Sequence, residues 1–362
     1  MNINELSMQE KIGQMIIIGI PGTEIDCLTK QLITQGKVGG VILYRKNIVS
    51  VEQLITLING LKKLNENNKV PLFISVDQEG GRVNRMPAEI HNLRSAKKIS
   101  NIGKDLCYKS GCVIGKMLND IGINMNFAPV LDIGSVRHNV HLGDRCLGLD
   151  AKTVSENGIS VMKGLKDNDV LSVIKHFPGH GTGRIDSHIM SPIIYKNLNR
   201  LKHEDMLPFI NAMNNGADAI MVGHLIVSRL NSIHPASLSK QVISNIIRKE
   251  LKYDGLVITD DLSMKSIELM FGITRAAMRT IKAGTDIIMI NKSHRNKTKI
   301  INRIHTAVKR GFIKNERIDE SVSRILKMKE KYKIKDDDIT DFNINDINKL
   351  IDEINTQVDN AN

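Results

Sequence analysis

The sequence predicts an α/β protein: a single (β/α)8 TIM-type barrel of parallel strands with a C-terminal helical extension. Three observations carry that prediction. Eight short β-branched runs recur along the 362 residues, each followed by a helical pattern. Capping residues mark where several of those helices begin. Polar and ionisable side chains gather just after the strands, where a barrel of this kind holds its chemistry.

The strand candidates are 15–20, 38–44, 72–76, 125–130, 172–176, 219–222, 256–259 and 286–290. Between them, Ser7 with Glu10 and Ser50 with Gln53 have capping-box spacing. The segment 50–66 places Val51, Leu54, Ile55, Ile58 and Leu61 on one helical stripe. Segments 104–121, 154–165, 239–251 and 318–331 read the same way. Eight strands alternating with helices favour closure into a barrel over an open doubly wound sheet, and no GxGxxG before a helix supports the latter. The barrel is expected to occupy 1–334. Beyond it, 335–362 is a polar tail in which Ile347, Leu350, Ile351 and Ile354 outline one helix, with fraying expected at the very end.

Hydrophobic content of 41% and charged content of 25% are those of a globular chain. Apolar runs are too short for a bilayer, so no membrane partner is expected. The start, MNINELSMQEKIGQM, lacks the basic and apolar pattern of a secretory signal, which predicts a cytoplasmic protein. Cys27, Cys107, Cys112 and Cys146 form no CxxC pair and read as free thiols. The net charge of +12 raises the question of nucleic acid. Its densest stretch, 292–314, carries Ile300, Ile301, Ile304 and Val308 at helical spacing, which reads as an amphipathic helix with a solvated basic face. With 3% aromatics and no Trp, stacking platforms are scarce, so no nucleic-acid partner is expected.

Reading the strand ends in order assembles a candidate site. The third ends in Asp77, Gln78 and Glu79, with Arg85 close behind; the fourth in Asp132, with Asp144 and Arg145 in its loop. The fifth ends in Lys175 and His176, the sixth near His224, the seventh in Asp260 and Asp261, the eighth at Asn291. A carboxylate just past a buried strand can act as nucleophile or steady a developing cation, so one of Asp260 and Asp261 is expected to be catalytic and the other structural. Asp186 and His188 are two residues apart, which lets the carboxylate hold one imidazole nitrogen and free the other for proton transfer. Pro178, Gly179 and Gly181 give the KHFPGHG segment a sharp turn able to carry His188 over the barrel mouth. Lys175, His176, Arg85 and Arg145 would donate to hydroxyl or carboxylate oxygens, with at least one of them expected in a structural ion pair. A metal held by His176, His180, His188 and Asp186 is the weaker reading, because Pro178 and the glycines rule out a helix for the HxxxH pair. A Schiff base on Lys175 would leave Asp260 and the Asp186–His188 pair without roles.

These residues fall in motifs that resemble the bacterial cytoplasmic β-N-acetylglucosaminidases (β-hexosaminidases) of glycoside hydrolase family 3. The motifs are SVDQEGGRVNRM at 75–86, FAPVLDI at 127–133, KHFPGHG and DSH within 175–188, ASLS at 236–239 and DGLVITDDLSM at 254–264. The resemblance covers about residues 5 to 330. It implies that Asp260 is the nucleophile and His188 the acid/base with Asp186 as its partner. It further implies that Asp77, Arg85, Arg145, Lys175 and His176 hold the sugar, and that the reaction retains configuration. Implied substrates are muropeptide fragments, GlcNAc linked to anhydro-N-acetylmuramic acid, in cell-wall recycling. No metal and no cofactor is expected, and the protein should be a monomer. Cys146-Leu147 after Arg145, and Arg184 between GHG and DSH, depart from the family pattern and bear on the leaving-group side. A β-glucosidase or a phosphorylase on the same barrel, and a sugar-binding protein with a relict site, are the competing readings.

Overall fold

The computed structural model describes residues 2–135, 142–181, 191–230, 233–291 and 294–361, with the backbone alone for 294–296. The barrel strands are β1 (Ile16–Gly19), β2 (Gly40–Leu43), β3 (Phe73–Val76), β4 (Met125–Asn126), β5 (Leu171–Phe177), β6 (Ala219–Val222), β7 (Leu256–Asp261) and β8 (Ile287–Ile290). They close in the order β1-β8-β7-β6-β5-β4-β3-β2, every neighbour parallel, with Ile16 beside Ile288 at the seam. A strand in such a barrel is covered on both faces, which is why IIIG, GVIL and FISV are buried at every position. A separate two-stranded ladder joins Ile193–Ile194 to Ile226–Val227. The periodicity does not announce it, since two residues carry no period.

Helices wrap the barrel: α1 (Met8–Gln14), α2 (Cys27–Thr34), α3 (Val51–Asn65), α4 (Ala96–Ile102), α5 (Lys104–Asp120), α6 (Ala151–Lys166), α7 (Leu198–His203), α8 (Leu207–Asn214), α9 (Lys265–Phe271), α10 (Ile273–Ala283), α11 (His294–Lys309), α12 (Asn315–Lys331) and α13 (Ile344–Asn360). The expected helix at 239–251 forms over Gln241–Glu250 with π-type hydrogen bonding, Leu251 N–H reaching back to Ile246 O. Ser7 and Glu10 form the expected reciprocal box. Ser50 accepts from Gln53 N–H, but the Gln53 side chain accepts from Val49 N–H rather than returning to Ser50. Half of that expected box is therefore absent.

The fourth strand is shorter than the expected 125–130. Pro129 has no N–H to give the ladder, so the regular pairing stops at Asn126, although Leu131 N–H still reaches Lys175 O and Lys175 N–H reaches Pro129 O. The chain thus continues alongside β5 as far as Asp132. At the opposite end of the barrel, Lys329 of α12 enters the core and donates to Gln14 Oε1, Gly39 O and Pro71 O at 2.6–2.9 Å, above the ring of Phe73. The expected terminal helix is α13, Ile344–Asn360. No helix of the described residues is long and apolar enough to cross a membrane.

Candidate active site

At the C-terminal end of the barrel the third and fifth strands meet through a buried ion-pair chain. Lys175 Nζ lies 2.7 Å from Asp77 Oδ1 and 2.7 Å from Glu79 Oε1. Arg145 grips the same Glu79 with two parallel bonds of 2.8 Å, from Nε and Nη2. Burial by itself would raise the Glu79 carboxyl, but the charges of Lys175 and Arg145 outweigh it and hold the group at about 2. Arg85 approaches Asp77 Oδ2 at 3.9 Å and lies over the ring of Tyr44, 6.0 Å from its centroid. Asp77, Arg85, Arg145 and Lys175 are thus brought into one network. Glu79 is its centre.

A second knot fixes His176. Asp132 is fully buried and accepts from His176 Nδ1 at 2.7 Å, His180 Nδ1 at 3.0 Å and the backbone N–H groups of both histidines. A carboxylate accepts only, so each Nδ1 carries its proton and each Nε2 keeps a lone pair when the ring is neutral. Burial depresses the pKa of His176 against the pull of Asp132, which favours the neutral ring. Among the described residues, Asp132, His176 and His180 are the group whose ligand atoms cluster as a metal site would, within 4.8 Å. Both Asp132 oxygens are already engaged by an imidazole and a backbone N–H, so hydrogen bonding alone accounts for the cluster.

The turn that follows is shaped as the sequence predicts. Gly179 and Gly181 have φ of +100° and +53°, and a Cβ at Gly179 would stand 2.7 Å from Asp205 O. Asp186 and His188, with Arg184, lie outside the described residues.

Across the mouth, β7 delivers Asp260 and Asp261. Asp261 is buried, and its Oδ1 accepts from Ser263 N–H, Ser263 Oγ–H and Asn291 N–H at 2.6–3.0 Å. Desolvation raises its pKa, and the neighbouring Asp260 charge adds to the rise. Asp260 is only half-buried, and its Oδ1 accepts from Asp261 N–H at 2.7 Å. Tyr44, just past β2, links the two halves of the mouth: burial first, then the charges of Asp77, Asp261 and Asp260, push its phenol upward. His224, at the sixth strand, uses both nitrogens internally. Nε2–H donates to Asp261 O, so Nδ1 accepts from Ser237 Oγ.

Reading the strand ends placed Glu79 and Asp132 in the candidate site without giving either a role, and it missed Tyr44 altogether. Glu79 stood in the DQEGGR string with Asp77, but its partners, Arg145 and Lys175, come from far along the chain. Asp132 offered only its place at a strand end. Tyr44 gave no signal, because one aromatic after a strand is ordinary core material.

The arrangement suits a polyhydroxylated ring: charged donors and acceptors line one wall, and a half-buried carboxylate faces them. Comparison with known proteins agrees. The profile of the Glycosyl hydrolase family 3 N terminal domain matches residues 7–328. The chain is 32% identical over 326 residues to Beta-hexosaminidase A of Pseudoalteromonas piscicida, covering 83% of this chain and 54% of that one. This chain therefore spans about half the length of that relative. It is 31% identical to Beta-hexosaminidase LpqI of Mycobacterium tuberculosis, covering 90% and 83% of the two chains. Its fold superimposes on a family 3 beta-N-acetylglucosaminidase from Paenibacillus sp. str. FPU-7 with a TM-score of 0.91 at 33% identity, over 96% of this chain and 68% of that one.

Proposed function

The chain belongs to glycosyl hydrolase family 3, and on that premise we propose that it is a retaining exo-β-N-acetylglucosaminidase. The observation that supports this most directly is the half-buried Asp260 opposite the Asp77–Lys175–Glu79–Arg145 chain. Asp260 attacks the anomeric carbon while His188, held by Asp186, gives its proton to the departing oxygen. Water then donates a proton to His188, adds to the anomeric carbon and releases Asp260 as a carboxylate. Asp77 accepts from sugar hydroxyls, Lys175, Arg85 and Arg145 donate their remaining N–H groups, and His176 presents Nε2. Glu79 keeps Lys175 and Arg145 in place. Asp261 is tied into the β7–β8 connection and takes no part in bond cleavage. The substrates are GlcNAc-anhydroMurNAc muropeptides, and the setting is cytoplasmic cell-wall recycling by a monomer; the +12 charge favours their anionic lactyl and peptide groups.

The test is hydrolysis of an aryl β-N-acetylglucosaminide, with the anomer of the first product read by NMR and phosphate present or absent. Retention is expected, with GlcNAc as product in either buffer. Asp260→Asn should lose on the order of 10⁴-fold in kcat. Asp261→Asn keeps an oxygen for all three of its donors and should stay within about tenfold. Equal losses at the two positions would overturn the nucleophile assignment, and a sugar 1-phosphate product would make the enzyme a phosphorylase.

A further inference from the structure

The basic stretch that the sequence presents as a solvated helix face is one wall of a groove. Helices α10 and α11 run side by side on the outside of the barrel and enclose a cavity of about 840 Å³. From α10 come Arg275, Arg279 and Lys282; from α11 come Lys299 and Arg303, with Arg310 just past its end. No carboxylate lines this groove, and among the described residues none of the six cations has a salt-bridge partner. Two other surface grooves differ. One sets Lys349 beside Asp352 and Glu353, and the other sets Lys335 beside Asp337 and Asp338. At helical rise the α10 cations recur every ~4.5–6 Å, Lys299 and Arg303 of α11 lie ~6 Å apart, and Arg310 lies ~10 Å beyond them. Six like charges so placed repel one another, and an opposite charge laid between the walls relieves that repulsion.

The groove is also apolar where it is not charged. Ala276 and Ala307 are buried in its lining, Met270 and Phe271 stand at one end, and Phe312 stands at the other beneath Lys282. Met270 and Phe312 are 59% and 64% exposed, and Leu269 beside Met270 is 81% exposed. Exposed large apolar side chains grouped around a charged cleft mark an interaction surface.

We propose that this groove docks an acidic segment of a partner protein that carries apolar anchor residues. Carboxylates of the segment pair with the arginines of both walls, and its apolar side chains cover Met270, Phe271 and Phe312. A nucleic acid would satisfy the charge but leave the apolar ends exposed. A bilayer surface is too flat to reach the alanine floor between two helices.

The probe is a fluorescein-labelled peptide alternating Glu pairs with Leu and Phe, followed by anisotropy against the full chain. An all-Glu peptide, oligo-dT and phosphatidylglycerol vesicles serve as competitors. The mixed peptide should bind most tightly, and salt should weaken it. R275E/R303E/R310E should weaken it by at least about tenfold, the neutral R275Q/R303Q by less, and K349E not at all. M270S/F312S should weaken the mixed peptide and leave the all-Glu peptide unchanged. Melting temperature and aryl-glycoside turnover of each variant separate this site from the barrel mouth. Unchanged binding in both arginine variants, or oligo-dT or vesicles binding as tightly as the peptide, overturns the proposal.

Discussion

Glu79 shows how one residue sets the electrostatics of the barrel mouth. It is nearly inaccessible, yet Lys175 and Arg145 keep its carboxyl at about 2 against a usual 4.5. A folded pKa below the unfolded one means stabilisation that is complete above the unfolded value and fades as pH falls toward 2. Glu79→Gln should therefore destabilise the protein by about 3 kcal/mol near neutrality, since each tenfold change in proton affinity corresponds to ~1.4 kcal/mol. Urea unfolding at about pH 7 and about pH 3 tests this: the gap between wild type and variant should narrow in acid. A constant gap would mean that Glu79 acts through packing and not through its charge. The residue was visible in the sequence, but its importance was not. Charge pairing between the loops after β3 and β4 and the end of β5 depends on barrel closure, which a linear string does not display.

Strands were the most legible elements, because a strand buried on both faces reads as a short apolar run rich in Ile and Val; β4, reduced to Met125–Asn126, is the exception. Their ends were less legible, and there the site is built. Asp132 illustrates why: β4 loses its ladder at Pro129, and the chain carries the carboxylate to His176 at the end of β5 and His180 just beyond it. Four N–H groups converge on that carboxylate. Asp132→Asn retains one acceptor oxygen and replaces the other with a donor, so two N–H groups lose their partner. A stability loss of about 2–4 kcal/mol is expected. Because His176 would lose its fixed tautomer, kcat/KM should fall as well, and an aryl-glycoside assay below the melting transition reads that separately. Full activity in a folded variant would remove His176 orientation from the mechanism.

At the scale of the molecule, the barrel and its helices were foreseeable from period and count, whereas the task of α13 was not. Its apolar stripe predicts a packed helix, and Ile347, Ile351, Ile354 and Val358 are buried with α13 against α4 and α5. The unforeseen part is polar. Asn348 accepts from His91 N–H and donates to Glu89 O; two turns later Asn355 accepts from Arg94 N–H and donates to Asn92 O. Arg94 adds a two-point pair with Asp359. Two amides thus pair with the backbone of 89–94, the far end of the loop that begins at Asp77 and includes Glu79 and Arg85. The profile of the family's N-terminal domain ends at residue 328, before this strap begins. If it holds the loop in register, N348A/N355A removes four bonds of ~1 kcal/mol or less each and loosens the loop without touching Asp260. The expected result is faster hydrogen exchange at 89–94 and a KM for the aryl glycoside raised about fivefold, with kcat nearly unchanged. Faster exchange with an unaltered KM would show that the strap serves stability alone, since the loosened segment would then have left Asp77 and Arg85 in place.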